Sequence, residues 1–476
     1  MTGKTQKEES KTMNIRELIL NMLMELESEG MYSSVLIRNV LDKYDYLPPQ
    51  EKSFLKRVTE GTLERRIQID YIIDSYSKIP VKKMKPLIRS LLRMSVYQIL
   101  FMDAVPDSAV CNEAVKLASA RKFQNLKGFV NGVLRNIARN REPLNGYPDK
   151  EKQPVEYLSV VYSMPELIIR MWLDVYGTEK TEKIVSAMLE IYPVTIRMKE
   201  SLPEQEKKNL LEEMKQEGIG IAAHPYLPYA YNLTHLEGIR NVPGFAEGLF
   251  TVQDVSSMFC VESAGIKKGD FVVDVCAAPG GKTTHVAEKL NGSGHVLSRD
   301  ISQEKTALIE ENVKRQRLEQ LVETEVYDAA VCDEALIGKA DVVLADLPCS
   351  GLGILGKKRD IKYHVTEESL TALPELQKKI LDAVWQYVKP GGVLVYSTCT
   401  IHREENEEIA RWFLAEHPFT AENTGISIQS LGKEPEENNA EPEKSGTEPE
   451  KNKWIQFLPG LQETDGFFIA KFRRNK

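Results

Sequence analysis

Beyond residue 240 the chain alternates short apolar runs with segments of helical periodicity. FVVDVCAAPGG (271–281), HVLSRD (295–300), LVETEVYD (321–328), ADVVLADLPCSG (340–351) and GGVLVYSTCT (391–400) read as five strands. THVAEKL, EKTALIEENVKRQRL, ALPELQKKILDAVWQYV and EENEEIARWFLAEH read as helices between or after them. Strand–helix alternation of this kind predicts a parallel, doubly wound α/β sheet. Such sheets bind ligands beyond the carboxyl ends of their strands. The cofactor and catalytic candidates below all lie at or just past such ends.

The rest of the chain reads differently. From residue 14 to about 140, apolar residues recur at helical spacing in IRELILNMLMELE, PLIRSLLRMSVYQILFM and FVNGVLRNIAR. The polar stretch NREPLNGYPDKEKQ (140–153) marks a boundary. Residues 154 to about 235 mix helical segments with short strands at VTIRMK and GIAAHPYLPYAYNL. Three domains are therefore expected: an all-α domain over 1–145, a small mixed α/β domain over 146–236, and the doubly wound domain over 237–476. Within the last, KEPEENNAEPEKSGTEPEKNK (433–453) repeats EPEK and lacks aromatic residues. It is expected to be a disordered acidic insertion before a final strand pair, WIQFLPG and DGFFIAKFRR.

The turn after the first strand, DVCAAPGGKTT (274–284), passes from strand through small residues into a helix. Its glycines allow close backbone approach, and the helix N-terminus offers unpaired N–H groups to an anionic group. A Walker A loop needs glycine where Cys276 stands, and no GxGxxG is present in the turn. A loop for S-adenosylmethionine remains, against a plain strand–helix turn without ligand. Asp300, some 20 residues beyond Gly281, is spaced to bond ribose hydroxyls. Asp328 ends the next strand and suits the adenine amino group. Two successive strand-end acids behind a glycine turn form a nucleoside pocket pattern.

Asp346, Pro348 and Cys349 follow the fourth strand, and Cys399 follows the fifth. A lone cysteine is usually a small buried hydrophobe, which fits Cys111, Cys260 and Cys332. It fits Cys349 and Cys399 poorly, given their place at strand ends. A zinc deaminase needs a second cysteine where Leu352 stands, so that reading fails, and no CxxC pair supports a structural metal site. Methylation of cytosine C5 uses these parts well. A thiolate adding to C6 makes C5 nucleophilic, and an acid at N3 and the 4-amino group eases the addition. Asp346 is the candidate acid, and a second cysteine can assist release. The residues alone do not order the two cysteines.

DVCAAPGGKT, DLPCSGLG, STCT followed by EENE, and terminal DGFFIAKF resemble the Nop/Sun superfamily of RNA cytosine-5 methyltransferases. FVNGVLR (129–135) and the helices around it are similar to the NusB RNA-binding fold. PGF (243–245) and QDVSS (253–257) complete a resemblance to the bacterial RsmB/Sun family, which methylates 16S ribosomal RNA. The resemblance implies a Rossmann-like class I methyltransferase domain behind a NusB-like domain. It implies Cys399 as nucleophile and Cys349 as the residue for product release. It also implies cofactor contacts from Cys276, Ala277, Ala278, Pro279, Gly280, Gly281, Lys282, Asp300, Asp328 and Asp346. Leu347 stands where the family has alanine, and Tyr327 where glycine is common; neither removes a functional atom.

The net charge of −8 looks unfavourable for an RNA partner, but it is divided unevenly. Residues 1–150 hold 25 Lys and Arg against 18 Asp and Glu, a net of +7, and the remainder carries −15. Lys82, Lys83, Lys85, Arg89 and Arg93, with Lys122, Lys127 and Arg135, are candidates to meet phosphates of 16S rRNA. The N-terminus has no apolar signal core, the longest apolar helix is too short for a bilayer, and six scattered cysteines make no disulfide framework. A cytoplasmic protein, monomeric, without metal or membrane partner, is expected.

Overall fold

The structure is a computed structural model, and it describes residues 14–426 and 453–476. The insertion expected at 433–453 lies outside the described residues, apart from Lys453. The chain divides into two units. One contains the residues up to Val185 together with Lys358–His364; the other contains Ser186–Lys357 and Val365–Lys476.

The first unit is helical. Its central helix, Pro86–Phe101, starts with proline at a position where the missing N–H costs nothing. Leu87, Ile88, Leu91, Leu92, Val96 and Ile99 are buried, so the helix is enclosed by its neighbours on most sides. Helix Lys127–Asn140 shows the opposite pattern: Val130, Val133, Leu134 and Ile137 form one buried stripe, and Arg135 and Arg139 are exposed.

Two members of the expected basic cluster turn inward. Arg93 grips Asp70 with two bonds of 2.7 and 2.6 Å and reaches Glu27 at 3.0 Å. Arg89 lies 2.9 Å from Glu27. Because the helix that carries them is enclosed, their nearest counter-charges are these acids rather than phosphates. Lys82, Lys83 and Lys85 stay exposed, and the Lys85 ammonium sits 5.3 Å from the Phe123 ring, beside exposed Lys122.

Lys358–His364 completes this unit from far along the chain. Lys362 is buried, and its ammonium donates to the carbonyls of Glu64 (2.8 Å) and Ser163 (2.6 Å). Asp360 accepts the Ser33 amide, Tyr363 donates to the Leu63 carbonyl at 2.8 Å, and Arg359 pairs with Glu64 at 3.1 Å. Burial pulls the Lys362 ammonium down to about 7.

The second unit is built on two sheets. The smaller is antiparallel and contains β1 (Val194–Met198), β2 (Gly220–Ala223), β3 (Ala230–Thr234) and β4 (Phe250–Val252) in the order β2-β3-β1-β4. Leu210 and Met214 of helix Glu204–Gln216 pack with Ile196, Met198, Leu233 and Phe250 to form its core.

The larger sheet contains β5 (Phe271–Asp274), β6 (His295–Asp300), β7 (Val322–Val326), β8 (Ala340–Asp346) and β9 (Val388–Thr398), all parallel. β10 (Phe419–Glu422), β11 (Trp454–Phe457) and β12 (Phe467–Arg474) extend it antiparallel, with β12 beside β9. The order is β10-β12-β9-β8-β5-β6-β7, with β11 paired to β12. This is the doubly wound sheet that the alternation predicts. Alternate residues feed opposite faces. Val272, Val296 and Val342 join the core under helices Val255–Ala264, Gly281–Lys289 and Gln303–Arg315, while Val273, Leu297 and Val343 join the core under Glu367–Val384 and Glu407–Glu416. Both faces are covered, which is why these strands are nearly continuous apolar runs. β5 sits between β6 and β8, where the chain reverses its direction across the sheet, so a crevice opens at its carboxyl end.

Candidate active site

The glycine turn fills that crevice. β5 ends at Asp274, residues 275–280 turn, and helix Gly281–Lys289 begins. Gly280 has φ of 101°, a conformation that disfavours any side chain, and a Cβ there would lie 3.2 Å from the Ile309 backbone. Asp300, almost fully buried, accepts the Ala278 amide at 2.9 Å and its neighbour Ile301's amide at 2.8 Å, with Lys305 at 3.0 Å. It therefore holds the turn in place, and its carboxylate oxygens retain lone pairs for further donors. Asp328 is exposed two residues past β7 and accepts the Ala330 amide at 2.9 Å. Ile301 projects beside Asp300 with 61% of its surface open. Cys276 is half-buried, and burial, then Asp300 and Asp274, push its thiol up. The two residues that depart from the family pattern point elsewhere: Leu347 is buried, and Tyr327 lies 4.2 Å beneath the Arg299 guanidinium.

Arg197 of β1 is a part of this site that sequence reasoning missed. Its side chain is fully buried and donates to the Gly281 carbonyl (3.0 Å), Thr284 (3.2 Å), Glu288 (3.1 Å) and Gln253. The first turn of the helix behind the glycines is thus fixed from the small sheet. A charged residue inside the apolar VTIRM run was the only sequence signal.

The two thiols meet beyond β8 and β9. Cys349 Sγ lies 3.3 Å from Cys399 Sγ. Beside them Lys282 donates to Asp346 at 2.7 Å, and Ser397 donates to the other Asp346 oxygen at 2.8 Å. Cys260, expected as a buried hydrophobe, is fully buried but also bonds Ser397 at 3.4 Å. Burial would lower the Lys282 pKa; the Asp346 carboxylate outweighs it and holds the ammonium charged. The Cys349 thiol is pushed well up by its bond to Cys399, by burial, and by the charges of Cys399 and Glu405.

Glu405 ties the two thiol loops together. It is completely buried, and its carboxylate accepts from the Ser350 amide (2.9 Å) and the Gln377 side chain (3.0 Å), with His402 Nδ1 at 3.1 Å. Gln377 also donates to the Pro348 carbonyl at 3.0 Å, and Ser350 and Thr400 share a hydroxyl bond of 2.7 Å. The EENE that follows STCT is its sequence trace.

Comparison with known proteins places these features in a family. The RsmB/F 16S rRNA methyltransferase model matches residues 264–473, and the NusB family model matches residues 13–139. A relative from Bacillus subtilis (strain 168), named a probable ribosomal RNA small subunit methyltransferase B, is 35% identical across 98% of this chain and 99% of its own. The chain belongs to the RsmB/F family of 16S rRNA methyltransferases. A second relative, ribosomal RNA small subunit methyltransferase B of Cronobacter sakazakii (strain ATCC BAA-894), is 29% identical across 97% of this chain and 99% of its own. Among solved structures, that of PH0851 superposes with a TM-score of 0.74 at 25% identity, covering 98% of this chain and 99% of its own. A methyltransferase homologue from Pyrococcus horikoshii gives a TM-score of 0.55 at 25% identity over 66% of this chain and 97% of its own.

S-adenosylmethionine is the cofactor of this family, and the residues present fit it. Asp300 and Asp328 supply acceptors for hydroxyl and amino donors, Ile301 an apolar face, and the glycine turn a close backbone approach. Among the described residues no helix is long and apolar enough to cross a membrane.

Proposed function

We propose that this RsmB/F methyltransferase transfers a methyl group to C5 of one cytosine in 16S rRNA through a covalent adduct with Cys399. The observation that carries this reading is the 3.3 Å approach of Cys349 and Cys399 beside the Lys282–Asp346 pair. The family's work on 16S rRNA and the names of its relatives support the substrate.

The Cys399 thiolate adds to C6, and electron density moves to C5. Asp346 accepts the 4-amino group, and the Lys282 ammonium stands beside it to balance charge as N3 gains electron density. Gly280, Gly281, Asp300 and Asp328 would hold S-adenosylmethionine, which would supply the electrophilic methyl group. A water molecule takes the C5 proton, the C5–H electron pair re-forms the C5–C6 double bond, and the C6–S bond breaks with the Cys399 sulfur leaving as thiolate. Cys349, held protonated 3.3 Å away, is placed to donate its S–H to the departing Cys399 sulfur and so assist this release. The helical residues 1–145 dock the RNA, residues 146–236 present it, and residues 237–476 carry the chemistry. The target base leaves its stack to reach the thiolate.

Denaturing gels of two variants with small-subunit rRNA test the assignment. Cys399→Ala is expected to lose methylation and any RNA adduct. Cys349→Ala is expected to accumulate an adduct, because addition proceeds while release fails. An adduct in the first variant and none in the second reverses the roles.

A further inference from the structure

The catalytic unit encloses a second feature that the chemistry above does not use. A cavity of about 310 Å³ opens between the small sheet, the loop after Cys349 and the turn before β12. Neither thiol lines it, nor does Asp346 or Lys282, so the reacting base does not sit inside. Its wall is nevertheless continuous with the nucleophile's loop. Gly353, one wall residue, donates its amide to the Cys399 carbonyl at 3.0 Å. Gly353 also packs so closely on Gly466 that a Cβ would fall 1.9 Å from the Gly466 carbonyl oxygen.

The charge of the wall selects its occupant. Lys357 is held between Asp254 (2.8 Å) and Asp465 (2.7 Å), and Glu190 and Glu463 also line the cavity. Burial and the neighbouring Asp254 raise the Asp465 carboxyl to about 7, but Asp254, Glu190 and Glu463 still outnumber the one, already paired, ammonium, so the wall repels a phosphate and favours a neutral group rich in N–H donors. Tyr192 offers an aromatic face at the wall, 42% of its surface open. The volume lies at the low end for a ligand pocket, which suits one nucleobase rather than a longer segment.

We propose that this cavity is a nucleobase subsite: it takes the amino-bearing base of a nucleotide flanking the target cytosine, stacked on Tyr192 with its amino group donating to the wall carboxylates. The subsite rests on the RNA reading above. It would add sequence selectivity at a position that undergoes no chemistry.

The test uses the full chain and the fragment of 16S rRNA that it binds most tightly. Abasic sites are placed at each nucleotide in turn, with binding read by fluorescence anisotropy and methyl transfer by labelled cofactor. At one position the abasic site is expected to weaken wild-type binding by about ten-fold. Uracil there should weaken it too. Tyr192→Ala should lose a similar factor on intact RNA, and the abasic site should then cost almost nothing more. Tyr192→Phe, which keeps the ring, should behave as wild type. If no abasic site weakens wild-type binding, or if each costs Tyr192→Ala as much as wild type, the subsite is overturned. If wild type shows the position-specific loss but transfers no methyl group, the methylation reading fails and the subsite stands.

Discussion

The Glu405 carboxylate accepts the Ser350 amide at 2.9 Å, and through that bond the loop of one thiol is fastened to the loop of the other. Glu405→Ala would strand three buried donors, on Ser350, Gln377 and His402. A loss of about 3 kcal/mol in stability is expected, measured by denaturant unfolding. Methylation should fall by more than that loss explains, because the 3.3 Å approach of the thiols depends on both loops. Glu405→Gln, which keeps one acceptor oxygen, should fall between the two.

Lys282 and Asp346 are a second linked pair, 2.7 Å apart, with little of the lysine side chain exposed. Removing either partner leaves a poorly solvated charge. Lys282→Met and Asp346→Asn should each destabilise by about 3 kcal/mol, while the double variant recovers part of the loss. Neither single variant nor the double should transfer methyl groups. A thermal melt of the three proteins, set beside their activities, separates the structural from the chemical contribution.

Asp274, at the strand end before the glycine turn, gives a pH signature. Its carboxyl is fully buried and bonded to Thr283 at 2.7 Å, and burial raises its pKa from 3.8 to about 7. In the folded state it retains a proton that the unfolded chain has already lost, so its contribution to stability falls as pH rises from about 4 to about 7, then levels off. Asp274→Asn lacks this slope. The variant should therefore gain on wild type across that window by a few kcal/mol, read from melting temperatures at matched ionic strength.

The basic residues of the helical unit divide into two kinds of variant. Lys82→Glu with Lys83→Glu should weaken rRNA binding and flatten its salt dependence, by about 0.7–0.9 in the log–log slope for each phosphate no longer neutralised. Arg93→Ala should leave that slope unchanged and destabilise the helical unit instead, since Asp70 would lose its two bonds and Glu27 would keep only Arg89. Anisotropy titrations from low to moderate salt distinguish them.

The α/β sheet and its site were legible in the sequence for one reason. Strand-length apolar runs, separated by helices, leave little choice of topology, and topology then places Asp274, Asp300, Asp346, Cys349 and Cys399 at one edge of the sheet. The proximity of the two thiols followed from strand order, since β8 and β9 are neighbours. Partner choice was not legible. Helical periodicity places Arg93 on a face, yet nothing local says that Asp70 and Glu27 wait there. Arg197 acts on a helix more than 80 positions away, and Glu405 stands among other acids that are mostly exposed. KRDIKYH (358–364) has the composition of a solvated loop, yet Lys362 is buried among carbonyls.

That last segment sets the order in which the chain can finish folding. A ribosome releases the helical unit's first 185 residues, and about 170 more must follow before Lys358–His364 appears. Until then the carbonyls of Leu63, Glu64 and Ser163 lack the donors that occupy them in the finished protein. The nascent helical unit is thus incomplete until β5 to β8 have been synthesised, and a fragment cut at residue 185 would carry the same open seam permanently.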